Sequence, residues 1–196
     1  MPNWCNNNLI LTHDDPAMIQ RAYDALERGE FLSEFIPVPK ELSDSSADGS
    51  VNDALVGKYG YSNWYDYCVG EWGTKWDVGE QGASDIHPEG RMLHTFFDSA
   101  WSPPTAAYEK LEAMGFTVEA MYYEGGMCYA GSYANGCDDY VELEGMSADD
   151  IERDYPELDE AFGIAECMRE YEDEEELSEW LKDGIEQNKK LGLVTE

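Results

Sequence analysis

Bases are scarce in this sequence. Twelve Lys and Arg stand against 43 Asp and Glu, a formal net charge of -31 over 196 residues. Phosphate backbones are gripped by Lys and Arg, so direct binding of DNA or RNA is disfavoured, and so is an anionic membrane surface. Long apolar runs are also missing, and no span of a bilayer is predicted. The opening residues MPNWCNNNLI lack a basic region followed by an apolar one, so no secretory signal is expected and the cytoplasm is the expected location. Cysteine pairs are absent too. The five cysteines, at 5, 68, 128, 137 and 167, are odd in number and form no CxxC. His13, His87 and His94 form no HxxxH or HExxH. Structural zinc wants close thiolate pairs, so no metal is predicted, and the thiols read as reduced and mostly buried. No GxSxG, P-loop or dinucleotide GxGxxG follows a strand, so no cofactor is expected either.

What is present supports a real core, since 42% of the residues are hydrophobic. NWCNNNLILT (3–12) ends in an apolar run fit for a buried strand. HDDPAMIQRAYDALERGE then opens a helix, with Asp14 or Asp15 as cap, Pro16 in the first turn and Gly29 at the end. The prolines of FLSEFIPVPKEL stop regular structure, and SDSSADGS (43–50) reads as a low-complexity loop. Residues 51–72 read as helical in part, with Trp64, Tyr67, Cys68 and Trp72 on one face and Gly73 as the stop. TKWDV reads as a short strand, 80–90 as a loop, and RMLHTFFDSAW as a strand. Ser102 and Pro103 start a helix that Gly115 ends. FTVEAMYYE is a strand, and Asn135-Gly136 marks a hairpin. This order, β-α-insertion-β-β-α-β plus a hairpin, predicts an α+β fold of ferredoxin-like (βαββαβ) plan. It would occupy 1–145, with a helical insertion at about 31–73.

From 146 to 196 the composition shifts to an acidic helical appendage. Residues 138–196 hold 22 acids and five bases, a net of -17. Ser147 and Asp150 form a plausible cap pair. Leu177, Trp180, Leu181 and Ile185 mark an apolar face, so the segment reads as amphipathic helix rather than disordered tail.

The stretch WYDYCVGEWGTKWDVG (64–79) concentrates three tryptophans and two tyrosines around one base, Lys75. Trp64, Cys68 and Trp72 fall on one helical stripe, with Trp76 beyond Gly73. Two readings stay open. In one these rings form a core cluster whose indole N–H groups are met by Asn6, Asn7 and Asn8. In the other they line an aromatic ligand pocket with Trp4, Asn6, Trp76, Asp77, Asp98 and Trp101, where the two aspartates could pair as acid and base. MPNWCNN, WYDYCVGEWGTKWD and FDSAWSPP (97–104), in that order, resemble the YubB-like, ferredoxin-domain family of phage and plasmid proteins of unknown function. The resemblance covers roughly residues 1–135. It implies a ferredoxin-like core and a home on mobile genetic elements, and no established reaction.

Two further patterns involve carboxylates. Asp44, Ser46, Asp48 and Gly49 imitate part of a calcium loop, but Leu55 stands where a bidentate Glu is required, so a plain acidic loop is predicted. The helical carboxylates Asp149, Asp150, Glu170, Glu172, Asp173, Glu174, Glu175, Glu176 and Glu179 could imitate a phosphate array, with one charge per ~1.7 Å of duplex axis. The expectation is therefore a non-enzymatic binder of a basic or nucleic-acid-binding host protein, with an enzyme or small-molecule binder using the Trp pocket as the alternative.

Overall fold

The structure, a computed structural model, describes residues 3–79, 84–86 (backbone only), 90–172 and 182. The chain divides into two compact units, Met1–Glu144 and Gly145–Glu196. The first is α+β. Strand β1 (Trp4–Thr12) is followed by helices α1 (Pro16–Glu27), α2 (Phe31–Phe35), α3 (Lys40–Ser43), α4 (Asp53–Tyr59) and α5 (Trp64–Trp72). Then come β2 (Ser84–Ile86), β3 (Met92–Ala100), α6 (Thr105–Ala113), β4 (Thr117–Glu124), β5 (Tyr129–Ala134) and β6 (Cys137–Glu142). The six strands form one antiparallel sheet in the order β2-β3-β1-β4-β5-β6.

Alternation along β1 sets the layers. Cys5, Asn7, Leu9 and Leu11 are buried, while Trp4 and Asn6 are exposed. Leu9 and Leu11 join Leu93 and Phe97 of β3, Val118 of β4, and Ile19, Leu26, Ala107 and Leu111 of the helices in one core. Helix α1 starts where Asp15 accepts from Ala17 N and Pro16 pre-sets the first turn. The β5–β6 hairpin turns on Asn135 and Gly136, both at positive φ.

Four local expectations are corrected. Residues 74–78 form no strand. Their side chains bond to distant backbone instead: Thr74 Oγ1 donates to Ala100 O at 2.9 Å, and Asp77 accepts from α2. The first strand of the ββ pair lies at Ser84–Ile86, inside the expected loop. Helix α6 begins at Thr105 rather than Pro103, because a residue that precedes a proline is pushed out of the α region, and Pro103 precedes Pro104. Ser102 Oγ accordingly caps nothing and donates to Gly73 O at 2.5 Å. The insertion also holds four short helices where one was expected.

The second unit contains α7 (Ala148–Asp154), α8 (Pro156–Phe162) and helical backbone from 164 to 172. Leu177, Trp180, Leu181 and Ile185 lie outside the described residues. Helix α7 opens with a reciprocal capping box between Ser147 and Asp150. Hydrogen bonds from Ser147, and then Arg153, hold the Asp150 carboxyl down at about 2, against an ordinary 3.8. A depressed folded-state pKa gives stability that is complete above the ordinary value and lost as pH falls through the folded one. We predict that circular dichroism will show acid loss of helix between about pH 4 and pH 2 that is smaller in Asp150→Asn. Identical acid profiles for the two proteins would assign the loss to other carboxylates.

Candidate functional site

The tryptophans of 64–79 divide between two environments. Trp72, at the end of α5, is 4% exposed and its Nε1–H donates to Ile36 O at 2.9 Å. Trp76, past the Gly73 stop, is 39% exposed. Its ring lies 5.9 Å from that of Trp4, which is 47% exposed. Lys75 Nζ stands 4.7 Å from the Trp76 ring centre, 5.0 Å from Trp101 and 5.8 Å from Tyr65. No carboxylate of the described residues lies within 4.0 Å of it. Trp72 is thus a core residue, whereas Trp4, Trp76 and Trp101 make a surface group around a cation.

The asparagines serve the sheet rather than the indoles. Asn6 Nδ2 donates to Asp98 Oδ1 at 2.7 Å across the β1–β3 pair. Buried Asn7 donates to Cys5 O and Ser99 Oγ, and Asn8 Oδ1 meets His94 Nε2 at 2.7 Å. Asp77 is spent on backbone: its two oxygens accept from Leu32 N at 2.6 Å and Ser33 N at 3.0 Å, capping α2 from a distance. Asp77 and Asp98 therefore hold separate hydrogen-bonding duties and share no partner among these contacts. Burial raises the Cys5 thiol to about 12 and the Cys68 thiol to about 11, which keeps both protonated and poorly nucleophilic.

Trp101 joins this surface to a cleft. Its backbone is left-handed, φ 69°, a conformation that bulky L residues rarely adopt. The turn is held by Trp101 N–H to Asn3 O at 3.0 Å and by Tyr129 Oη donating to Trp101 O at 2.5 Å. Beside it opens a cleft of about 580 Å³ lined by Trp101, Tyr122, Met127, Tyr129, Asp138 and Tyr140, among others. Its floor depends on Gly131, which pairs with Tyr122 on one side and Tyr140 on the other. A Cβ at Gly131 would lie 2.3 Å from Tyr122 Oη. The missing side chain lets Tyr122 cross β5 and donate to Asp138 Oδ1 at 2.6 Å. Burial, followed by that hydrogen bond, pushes the Tyr122 phenol well above its usual range, so it remains a donor.

Of the expected pocket, Trp101 alone lines this cleft; Trp4, Asn6, Trp76, Asp77 and Asp98 do not. Tyr122, Met127, Tyr129, Asp138 and Tyr140 escaped the sequence reading. A glycine alternating with tyrosines in β5 was the available signal.

The helical carboxylates are partly paired. Asp149 and Glu152 bind Arg169 at 3.0 and 2.7 Å, and Asp150 binds Arg153 at 2.8 Å. Glu170 and Glu172 are exposed. Asp173, Glu174, Glu175, Glu176 and Glu179 lie outside the described residues. In the acidic loop, Asp48 Oδ1 accepts from Ser50 N and Oγ, a local turn. Among the described residues no cluster of three or more His, Cys, Asp or Glu is arranged to hold a metal ion, and no helix is long and apolar enough to cross a membrane.

No protein-family model and no curated protein matches the chain. A solved structure, that of a protein api92 from Yersinia pseudotuberculosis of family DUF1281, is similar to it with a TM-score of 0.40 and 12% identity. The similarity covers 72% of this chain and 98% of that one.

Proposed function

We propose that this chain is a non-enzymatic, cytoplasmic binding protein of a mobile genetic element. It docks on a basic, nucleic-acid-binding host protein, such as a host-defence complex, and inhibits it by presenting carboxylates where that partner meets phosphates. The observation that carries the reading is the exposed group of Trp4, Trp76 and Trp101 on a chain of net charge -31. An indole offers roughly 150–250 Å² of surface, and exposed aromatic groups of this kind mark interaction sites. The charge selects the partner's sign and steers its approach over long range, while the indoles supply short-range burial.

The scaffold is read as ferredoxin-like and YubB-like. The spatial order β2-β3-β1-β4, with α1 after β1 and α6 between β3 and β4, supports that plan, and β5 and β6 extend the sheet beyond it. Against an acid–base role, the Asp77 and Asp98 carboxylates are each engaged in hydrogen bonds within the fold.

Affinity capture from host lysate at low and then high salt tests this function. The expected set is enriched in nucleic-acid-binding proteins, falls steeply with salt and is competed by duplex DNA. Changing Glu172, Asp173, Glu174, Glu175 and Glu176 to their amides should weaken capture much more than it changes the melting temperature. A captured set of neutral or acidic proteins, indifferent to salt and to DNA, would overturn the proposal.

A further inference from the structure

The cleft beside Trp101 has a chemical character of its own. Two exposed aromatic side chains stand in its lining, Trp101 at 44% and Tyr140 at 58%, and the Tyr140 ring lies 5.2 Å from that of buried Tyr129 with 30° between their planes. The left-handed backbone at Trp101 is held by hydrogen bonds at its N–H and at its carbonyl, which fixes the point from which the indole leaves the chain. One carboxylate, Asp138, is exposed within the lining, and the Tyr122 phenol fixes one of its oxygens. No Lys or Arg is among the described lining residues, and none lies within 4.0 Å of Asp138. Lys75 is near, but it is shared among Trp76, Trp101 and Tyr65 and does not line the cleft.

We infer that this cleft is the anchor site for an arginine side chain presented by the protein partner. The inference rests on the proposed binding function and names its central contact. A guanidinium is planar, stacks on aromatic faces and forks onto a carboxylate, which matches rings and Asp138 together. An anion would meet Asp138 and a chain of -31. A neutral apolar side chain would cover the Asp138 carboxylate and offer it no hydrogen bond beyond that of Tyr122. A cleft of about 580 Å³ exceeds one side chain, so flanking residues of the partner segment enter as well.

The probe is a fluorescein-labelled peptide of Gly, Ser and three Arg, read by anisotropy against the full chain at about 0.15 M salt. Matched peptides carry citrulline or lysine in place of arginine. Asp138→Asn and Tyr140→Ala are compared with Asp139→Asn, which removes the same charge one residue away and outside the cleft lining. Asp138→Asn and Tyr140→Ala should each weaken binding about tenfold, with Asp139→Asn within about twofold of the parent. The citrulline peptide should not bind, and the lysine peptide should bind more weakly than the arginine one. Equal effects of Asp138→Asn and Asp139→Asn would reduce the binding to diffuse charge and sink the anchor, while lysate capture would still report on the wider binding role. Equal or tighter binding of the lysine or citrulline peptide would show the wrong occupant. No binding of the arginine peptide would also overturn the inference.

Discussion

Trp72→Ala should lower the melting temperature by roughly 10 °C, while Trp76→Ala, four residues on, should move it by about a degree or two. The two residues are both tryptophans of one short stretch, and the difference lies in what surrounds them. Trp72 is buried among core residues and its indole N–H satisfies the Ile36 carbonyl. Truncation leaves a cavity and an unpaired buried acceptor, a loss of about 3–5 kcal/mol. Trp76 rests on Trp4 and Lys75 at the surface, so its removal forfeits contact area but opens no core cavity. The measurement is a thermal melt of each variant, with partner capture as the second readout. Trp76→Ala should lose capture while keeping its fold. Equal melting temperatures would mean that Trp72 is not a core residue, and unchanged capture by Trp76→Ala would remove the surface group from the binding site.

Gly79→Ala should cost about 2–5 kcal/mol, combining a strained backbone with a steric clash. Gly79 has φ 126°, and a Cβ there would lie 2.2 Å from Leu26 O at the end of α1. That carbonyl already accepts from Gly29 N at 3.0 Å, so it is poorly free to move. The residue before it, Val78, is buried and accepts from Phe31 N at 3.3 Å, so the chain cannot swing outward without uncovering α2. Urea unfolding would read the loss as a lower midpoint at unchanged slope. A parental midpoint would show that this crossing is loosely packed.

Local chemistry made some elements legible. Helix α1 announces itself through Asp15, Pro16 and the Ile19–Ala22–Leu26 spacing, the hairpin through Asn135-Gly136, and α7 through Ser147 and Asp150. Each signal acts within four residues, which is why sequence reading reaches it. Asp77 defeats such reading because it caps Leu32 and Ser33, 45 and 44 positions away. Strand β2 is three residues long, too short for a period to show. The cleft was hidden for a related reason. Tyr122, Gly131 and Tyr140 become neighbours only once the β4–β5–β6 ladder sets their register. Trp101 was singled out by type, yet its left-handed backbone is imposed by the Asn3 and Tyr129 hydrogen bonds rather than by any preference of tryptophan.

Strand β6 gives the anionic composition a use that involves no partner at all. Among the described residues it ends the sheet, with β5 on one side and no strand on the other. A bare strand edge is a template on which another copy of the chain could add itself. Asp138, Asp139 and Glu142 stand exposed along that edge. Two copies approaching edge to edge would bring like charges face to face, so the protein discourages its own polymerisation. The edge thus acts as a gatekeeper that refuses self and remains open to segments of opposite charge, and Asp138 serves both duties.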